Sequence, residues 1–338
     1  MITTLWFLVL TAMLAAYAVL DGFDLGVGAL HLALARRPGE REAAIDAIGP
    51  VWNGNEVWLL AAGGAMVVAF PRLYAAAFSG FYLPLMIVVW LLILRGVAIE
   101  LRHQVDHELW RQACDVTFFG SSALLAVIFG VAVGNVLRGV PLDGDGTFVG
   151  SFALLLNPFA LLCGALSLSA LALHGAAYLA MKTDGPPQQR ARRATLPLLA
   201  STSALLVAVA AASFRVQPTF TANFSRWPAL AAIPMAALVA LGAIAVFGRR
   251  GAQQATFLSS AALIVATLGS AAAGLYPRLL PGLPGSALSA LDIDNAAASA
   301  HGLWTALAVG LFGMALVTIY QVTMFRVWRG KATKVYHQ

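Results

Sequence analysis

Five polar side chains in an otherwise apolar chain have the types and spacing to move protons: Asp21, Asp24, Asn53, Glu56 and Arg95. Asp21 and Asp24 are three apart and share a helix face, as do Asn53 and Glu56. A carboxylate inside hydrocarbon is costly, so it faces protein or water and has a task. Clustered carboxylates can relay protons, and an arginine can hold one of them ionised. The bland alternative is a charge cluster that only locks helices together. Around Trp52 and Trp58 it is a polar helix entrance at headgroup depth, with the indoles as interfacial anchors. The residues alone leave both readings open.

The elements that must position these groups are membrane helices. The chain has 338 residues, 60% of them hydrophobic and 11% charged, against about 25% charged in a soluble domain. Apolar runs recur from end to end, which predicts an all-α, polytopic membrane protein and one integral membrane domain over residues 1–338. Nine spans are expected, at 5–30, 51–70, 75–99, 116–137, 151–181, 195–214, 228–247, 255–276 and 302–327. The first run lacks the basic start and small-residue cleavage site of a signal peptide, so it is expected to stay as a helix. Pro50 suits the first turn of the second span.

Lysine and arginine orient the chain. With the N-terminus outside, the outer loops hold only Arg72, Arg138, Arg215, Arg226 and Arg278. The other 16 of the 21 basic residues, from Arg36 and Arg37 to Lys331 and Lys334, fall on the other side. That asymmetry places the C-terminus in the cytoplasm. It also accounts for the net charge of +6 without a nucleic-acid partner. Asp21 then lies roughly 25 Å from the outer end, near the cytoplasmic side of a core about 30 Å thick. Asn53 and Glu56 enter from that side, and Arg95 returns to it on the third span. The five residues are expected in one layer.

Other motifs are weaker. Haem held by two histidines needs two facing intramembrane histidines. His174 lies inside a span towards the inner side, whereas His301 marks the outer start of the last one. Haem ligation within the chain is therefore not expected, and His174 reads as a hydrogen-bonded packing residue. His31, His103, His107 and His337 are placed outside the spans. Cys114 and Cys163 give neither a disulfide framework nor a metal spacing. Asn157, before Pro158, can satisfy backbone groups that the proline frees. There is no Walker loop, dinucleotide fingerprint or zinc spacing.

Several stretches resemble subunit II of the cytochrome bd-type quinol oxidases, including their cyanide-insensitive relatives. They are Asp21-Gly22-Phe23-Asp24-Leu25-Gly26-Val27-Gly28, the segment from Trp52 to Leu59, and the segment from Tyr74 to Tyr82. Arg95-Gly96-Val97, Gly134-Asn135, Leu155-Leu156-Asn157-Pro158-Phe159 and His174-Gly175-Ala176-Ala177-Tyr178 follow in the same order. The resemblance implies two four-helix bundles plus one peripheral helix, in a bacterial cytoplasmic membrane. It implies a complex that oxidises quinol at the outer side and reduces O₂ to water. Haem b and haem d would belong to a partner, subunit I, which this chain would support while helping to conduct protons from the cytoplasm. Small single-span accessory subunits often join, the surface meets membrane lipid, and some relatives hold a lipoquinone in this subunit.

Two departures from the family pattern stand out. The family usually has Asp where this chain has Asn53, and an asparagine cannot carry a proton by ionising. Near the last span, Leu291 to Ala297 resembles a family stretch, with Asn295 falling on its Asp. Two other classes compete with the oxidase subunit: a proton-coupled secondary transporter and a purely structural membrane anchor. A transporter should show inverted repeats and broken helices near the midplane, and neither pattern is visible.

Overall fold

The computed structural model describes residues 1–332, so Lys334 and His337 lie outside the described residues. Helix α1 (Ile2–Leu34) leads into the short α2 (Pro38–Ile48). Then come α3 (Trp52–Ala69), α4 (Pro71–Gly80), α5 (Tyr82–Leu101) and α6 (Glu108–Arg138). The second half comprises α7 (Phe152–Leu155), α8 (Pro158–Lys182), α9 (Gly185–Val216), α10 (Thr219–Arg226), α11 (Ala232–Arg250) and α12 (Gln253–Leu275). Strands β1 (Arg278–Pro281) and β2 (Ala290–Asp292) precede α13 (Ala300–Val327).

Eight helices among the described residues are long and apolar enough to cross a membrane. The remaining expected span is α3, whose 18 residues reach about 27 Å and begin with Asn53, Asn55 and Glu56. Helices α1, α3, α5 and α6 pack as one bundle and α8, α9, α11 and α12 as a second. The two bundles meet where α8 lies against α1 and α6, and α13 rests on α3 and α1 at the periphery.

Prolines and asparagines correct two of the expected spans. The 75–99 span is two helices, broken at Phe81. Pro84 lacks the N–H that a continuous helix would give to the Gly80 carbonyl, so α5 starts afresh at Tyr82. The 151–181 span breaks before Pro158 for the same reason. There the side chain of Asn157 donates to Leu154 O at 3.2 Å and accepts from Ala160 N at 3.0 Å. Asn135 Nδ2 donates to Leu155 O at 2.8 Å, so the freed backbone is satisfied as expected. The first span runs on past residue 30 because nothing breaks the helix before Pro38. His31 is therefore buried inside α1 rather than following it. The segment expected as a loop after α1 is instead helix α2, started by Pro38 at its first turn. Glu40 Oε2 accepts from the N–H groups of Arg36 and Arg37.

Among the described residues the one sheet is a small antiparallel hairpin at the end opposite most of the arginines. It pairs Leu280 with Leu291 and Pro281 with Ala290.

Glycines set the distance between the bundles. A Cβ on Gly26 would sit 1.9 Å from Leu171 O, and one on Gly175 would sit 2.3 Å from Gly26 C. The α1 and α8 backbones therefore touch, the small-residue packing that membrane helices favour. Gly175→Ala should destabilise the subunit by about 1–3 kcal/mol through overpacking, read as a lowered thermal midpoint in detergent. Gly120→Ala, where a Cβ meets nothing within 4 Å, should leave the midpoint where it was.

Candidate functional site

The polar residues of α1, α3 and α5 converge on one guanidinium. Arg95, on α5, is fully buried. Its Nη2 donates to Asp21 Oδ1 at 2.7 Å and also to Glu56 Oε1. Asp21 and Asp24 are likewise fully buried, whereas the Glu56 side chain keeps 24% exposure. One turn along α1 from Asp21, Asp24 Oδ2 accepts from Asn55 Nδ2 at 2.7 Å. Asn55 Oδ1 in turn accepts from Gln321 Nε2, on α13. Asp21 Oδ2, Asp24 Oδ1 and the Nε and Nη1 of Arg95 have no protein partner among the described residues. Such groups are the ones that ordered water serves in a buried polar site.

Helix phase explains which asparagine takes part. Positions 53 and 55 are about 200° apart around a helix at 3.6 residues per turn, so only one can face α1. The buried positions of α3 include Asn55, Trp58, Ala62 and Ala69. Asn53 is exposed on the opposite face, beside Val57 and Leu60. The structure thus brings together Asp21, Asp24, Glu56 and Arg95 as expected, and leaves Asn53 out. It adds Asn55 and Gln321. The signal for Asn55 lay in its sequence spacing from Trp58 and Ala62; nothing in the sequence singled out Gln321.

A second ionic cluster closes the arginine-rich end. Asp115, on α6, accepts from Arg102 Nε at 2.8 Å and Arg41 Nη1 at 3.2 Å, and pairs with His31 Nε2 at 2.9 Å. Near it, Glu40 pairs with Arg190. Burial works against an ionised Glu40, but the Arg36 and Arg37 N–H groups and Arg190 outweigh it and hold the carboxyl below its usual range. At the same end Lys331 pairs with Asp184 at 3.1 Å. At the hairpin end Arg72 donates to the carbonyls of Asn295 and Asp145. Asp292 Oδ1 accepts from the N–H groups of Asp294 and Asn295, so this stretch is a capped turn.

His174 is the hydrogen-bonded packing residue its position suggested. Its Nδ1 lies 2.7 Å from Ser260 Oγ and its Nε2 lies 3.0 Å from Val19 O. Its ring stacks on Phe257 at 4.7 Å. With both nitrogens engaged, the residue does not fit an iron ligand. Among the described residues no three His, Cys, Asp or Glu side chains are grouped to hold a metal ion.

The sequence matches the family described as cytochrome bd terminal oxidase subunit II over residues 2–328. The chain belongs to that family. Its relatives include the cytochrome bd ubiquinol oxidase subunit 2 of Bacillus subtilis, 31% identical over 97% of this chain and 96% of the relative. A probable cytochrome oxidase subunit 2 of Haemophilus influenzae is 36% identical over 82% of this chain and 81% of its own. The cytochrome bd-I ubiquinol oxidase subunit 2 of Escherichia coli is 42% identical over 56% of this chain and 51% of its own. The fold is shared with a chain of the bd oxidase from Geobacillus thermodenitrificans. That match has a TM-score of 0.80 at 15% identity and covers 97% of this chain and 98% of that one. Membership makes this subunit II a multi-pass membrane component of a respiratory oxidoreductase complex.

Arg95 is the charge on which the subunit II layer turns. Replacing it with leucine would leave the buried Asp21 without its ion partner, and breaking a buried pair costs about 3–5 kcal/mol. Arg95→Leu should therefore reduce the yield of assembled complex recovered from membranes. Arg72→Leu, which breaks only surface bonds to carbonyls, should be recovered at the parent level.

Proposed function

We propose that this subunit II takes protons from the cytoplasm and passes them towards a haem-bearing subunit I, which oxidises quinol and reduces O₂ to water. In this reading the arginine-rich end is cytoplasmic, by the positive-inside rule. The observation that carries the proposal is the buried layer of Asp21, Asp24, Glu56 and Arg95, with carboxylate oxygens and guanidinium N–H groups left for water. Asp24 is bonded to Asn55, and Arg95 joins Asp21 to Glu56. Glu56 is the member with an open side, so it is where a proton enters the layer. Asn53, exposed one turn from Glu56, contributes hydrogen bonds at that entry and no ionisable group.

Haem b and haem d belong, in this proposal, to subunit I. The histidines of the present chain support that division. His174 has both ring nitrogens engaged, His31 is tied to Asp115, and His301 is exposed at the start of α13. The chain's own work is to hold the layer and shield it from lipid. A small accessory subunit and bound lipid would complete the outer surface.

Turnover of the assembled complex, counted per haem at an oxygen electrode across pH, tests the proton role. Glu56→Gln and Asp24→Asn each remove a transfer group. They should slow O₂ consumption by about a hundredfold where that transfer is limiting. Asn53→Asp should keep at least the parent rate. Parent rates for both carboxylate variants, with intact haem spectra, would make the layer structural and the subunit an anchor. Expressed alone, the chain should bind no haem b or d. A reduced-minus-oxidised spectrum showing one haem per purified chain would overturn the assignment of the haems to subunit I.

A further inference from the structure

The peripheral helix α13 touches the buried layer at one residue. Gln321 is only 6% exposed although most of α13 lies open, and its amide reaches Asn55 rather than lipid. The contact is built from both sides. Gly54 of α3 lets α13 come close, because a Cβ there would lie 2.9 Å from Tyr320 Cε1 and 3.3 Å from Gln321 Oε1. A polar side chain placed in a membrane helix and turned inward has a task by default, and the proton path as described above does not use this one.

The hydrogen bonds run in one direction. Gln321 Nε2 donates to Asn55 Oδ1, which turns Asn55 Nδ2 towards Asp24 Oδ2 at 2.7 Å. An asparagine amide has a donor end and an acceptor end. Without Gln321 it could turn its oxygen to Asp24, and that would accept a hydrogen bond only from a protonated carboxyl. Gln321 thus decides which end of the Asn55 amide faces Asp24.

Beside this contact lies a groove of about 460 Å³ between α1, α3 and α13, lined in part by Leu20, Trp58, Gln321 and Phe325. Arg326 and Arg329 line it nearer the arginine-rich end. Gln321 Oε1 and Trp58 Nε1, one acceptor and one donor, are buried beside it with no protein partner among the described residues.

We propose that Gln321 is a positioning residue for proton transfer, acting through Asn55 to set the hydrogen bond that Asp24 receives. The inference rests on the proton-conducting reading given above and extends the site to α13. It makes the outermost helix of the subunit part of the proton machinery and not only a lipid-facing strut.

The test is a double-mutant cycle in the assembled, haem-loaded complex, with O₂ turnover counted per haem. Gln321→Met keeps the length and removes the amide. Loss of a residue that orients a reacting group costs on the order of tenfold, so turnover should fall by about that factor. In the Asp24→Asn background the same change should move turnover by less than about twofold, because the residue acts through Asp24. An equal fall in both backgrounds would mean a general structural effect and overturn the proposal. So would an unchanged rate for Gln321→Met when Asp24→Asn alone is slow. If Asp24→Asn alone keeps the parent rate, the proton-conducting reading fails first and this inference falls with it. Gly54→Ala supplies an independent variant should Gln321→Met not assemble. It changes no polar group, presses on Tyr320 and Gln321, and should give the same background-dependent fall. A parent rate or an equal fall in both backgrounds overturns the proposal.

Discussion

A guanidinium with no solvent exposure joins three helices. Moving such a charge out of water costs several kcal/mol even after relaxation, and the two carboxylates that meet Arg95 offset that cost. That demand fixes much else. Asp21 must come from α1 and Glu56 from α3, so both helices must sit close beside α5 at one depth. Helix α1 meets it by dividing its surface. Asp21 and Asp24 point towards α3 and α5, while Gly22 and Gly26 lie against α8 and Gly28 against Ser122 of α6. The glycines let α8 press against α1 from behind, where the Gly26 and Gly175 backbones touch. The Asp-Gly-x-Asp-x-Gly-x-Gly run thus carries the charge on one side and close packing on the other.

The two ends of the bundles are held in different ways. At the arginine-rich end Asp115 gathers His31, Arg41 and Arg102, tying α1, α2 and α6 to the end of α5. At the other end the links are mostly to backbone. Arg72 holds two carbonyls, Asn223 Nδ2 donates to Ala273 O and Gly274 O, and the hairpin covers the helix ends. The many ionic links at one end and few at the other repeat the charge asymmetry of the loops in three dimensions.

Much of this was legible in the sequence, for identifiable reasons. Apolar length marks a membrane helix strongly, so the spans were expected from composition; their grouping into two bundles and a peripheral helix was what the family resemblance implied, and it is present. Breaks were harder to read. Pro84 and Pro158 each sit near the start of a helix, where a span and a broken span look alike by composition. Asp21, Asp24, Glu56 and Arg95 stood out because charge is rare in such a chain. The choice between Asn53 and Asn55 needed the phase of α3, which the spacing of Trp58, Ala62 and Ala69 held but the motif itself did not. Asp115 was overlooked because it lies just before the apolar run, where charges are ordinary. Gln321 is 266 residues from its partner, and no local pattern announces a contact of that range.

The charge count of the layer bears on its chemistry. Three carboxylates, those of Asp21, Asp24 and Glu56, share one guanidinium, and the remaining polar partners are the uncharged amides of Asn55 and Gln321. Three carboxyl groups beside one guanidinium leave the layer with more acidic than basic groups, in a medium of low dielectric where charges act strongly on one another. The family's aspartate at position 53 would add a fourth carboxyl on the exposed face of α3, outside the reach of Arg95. Asparagine there leaves the inner balance untouched and changes only the surface beside Glu56.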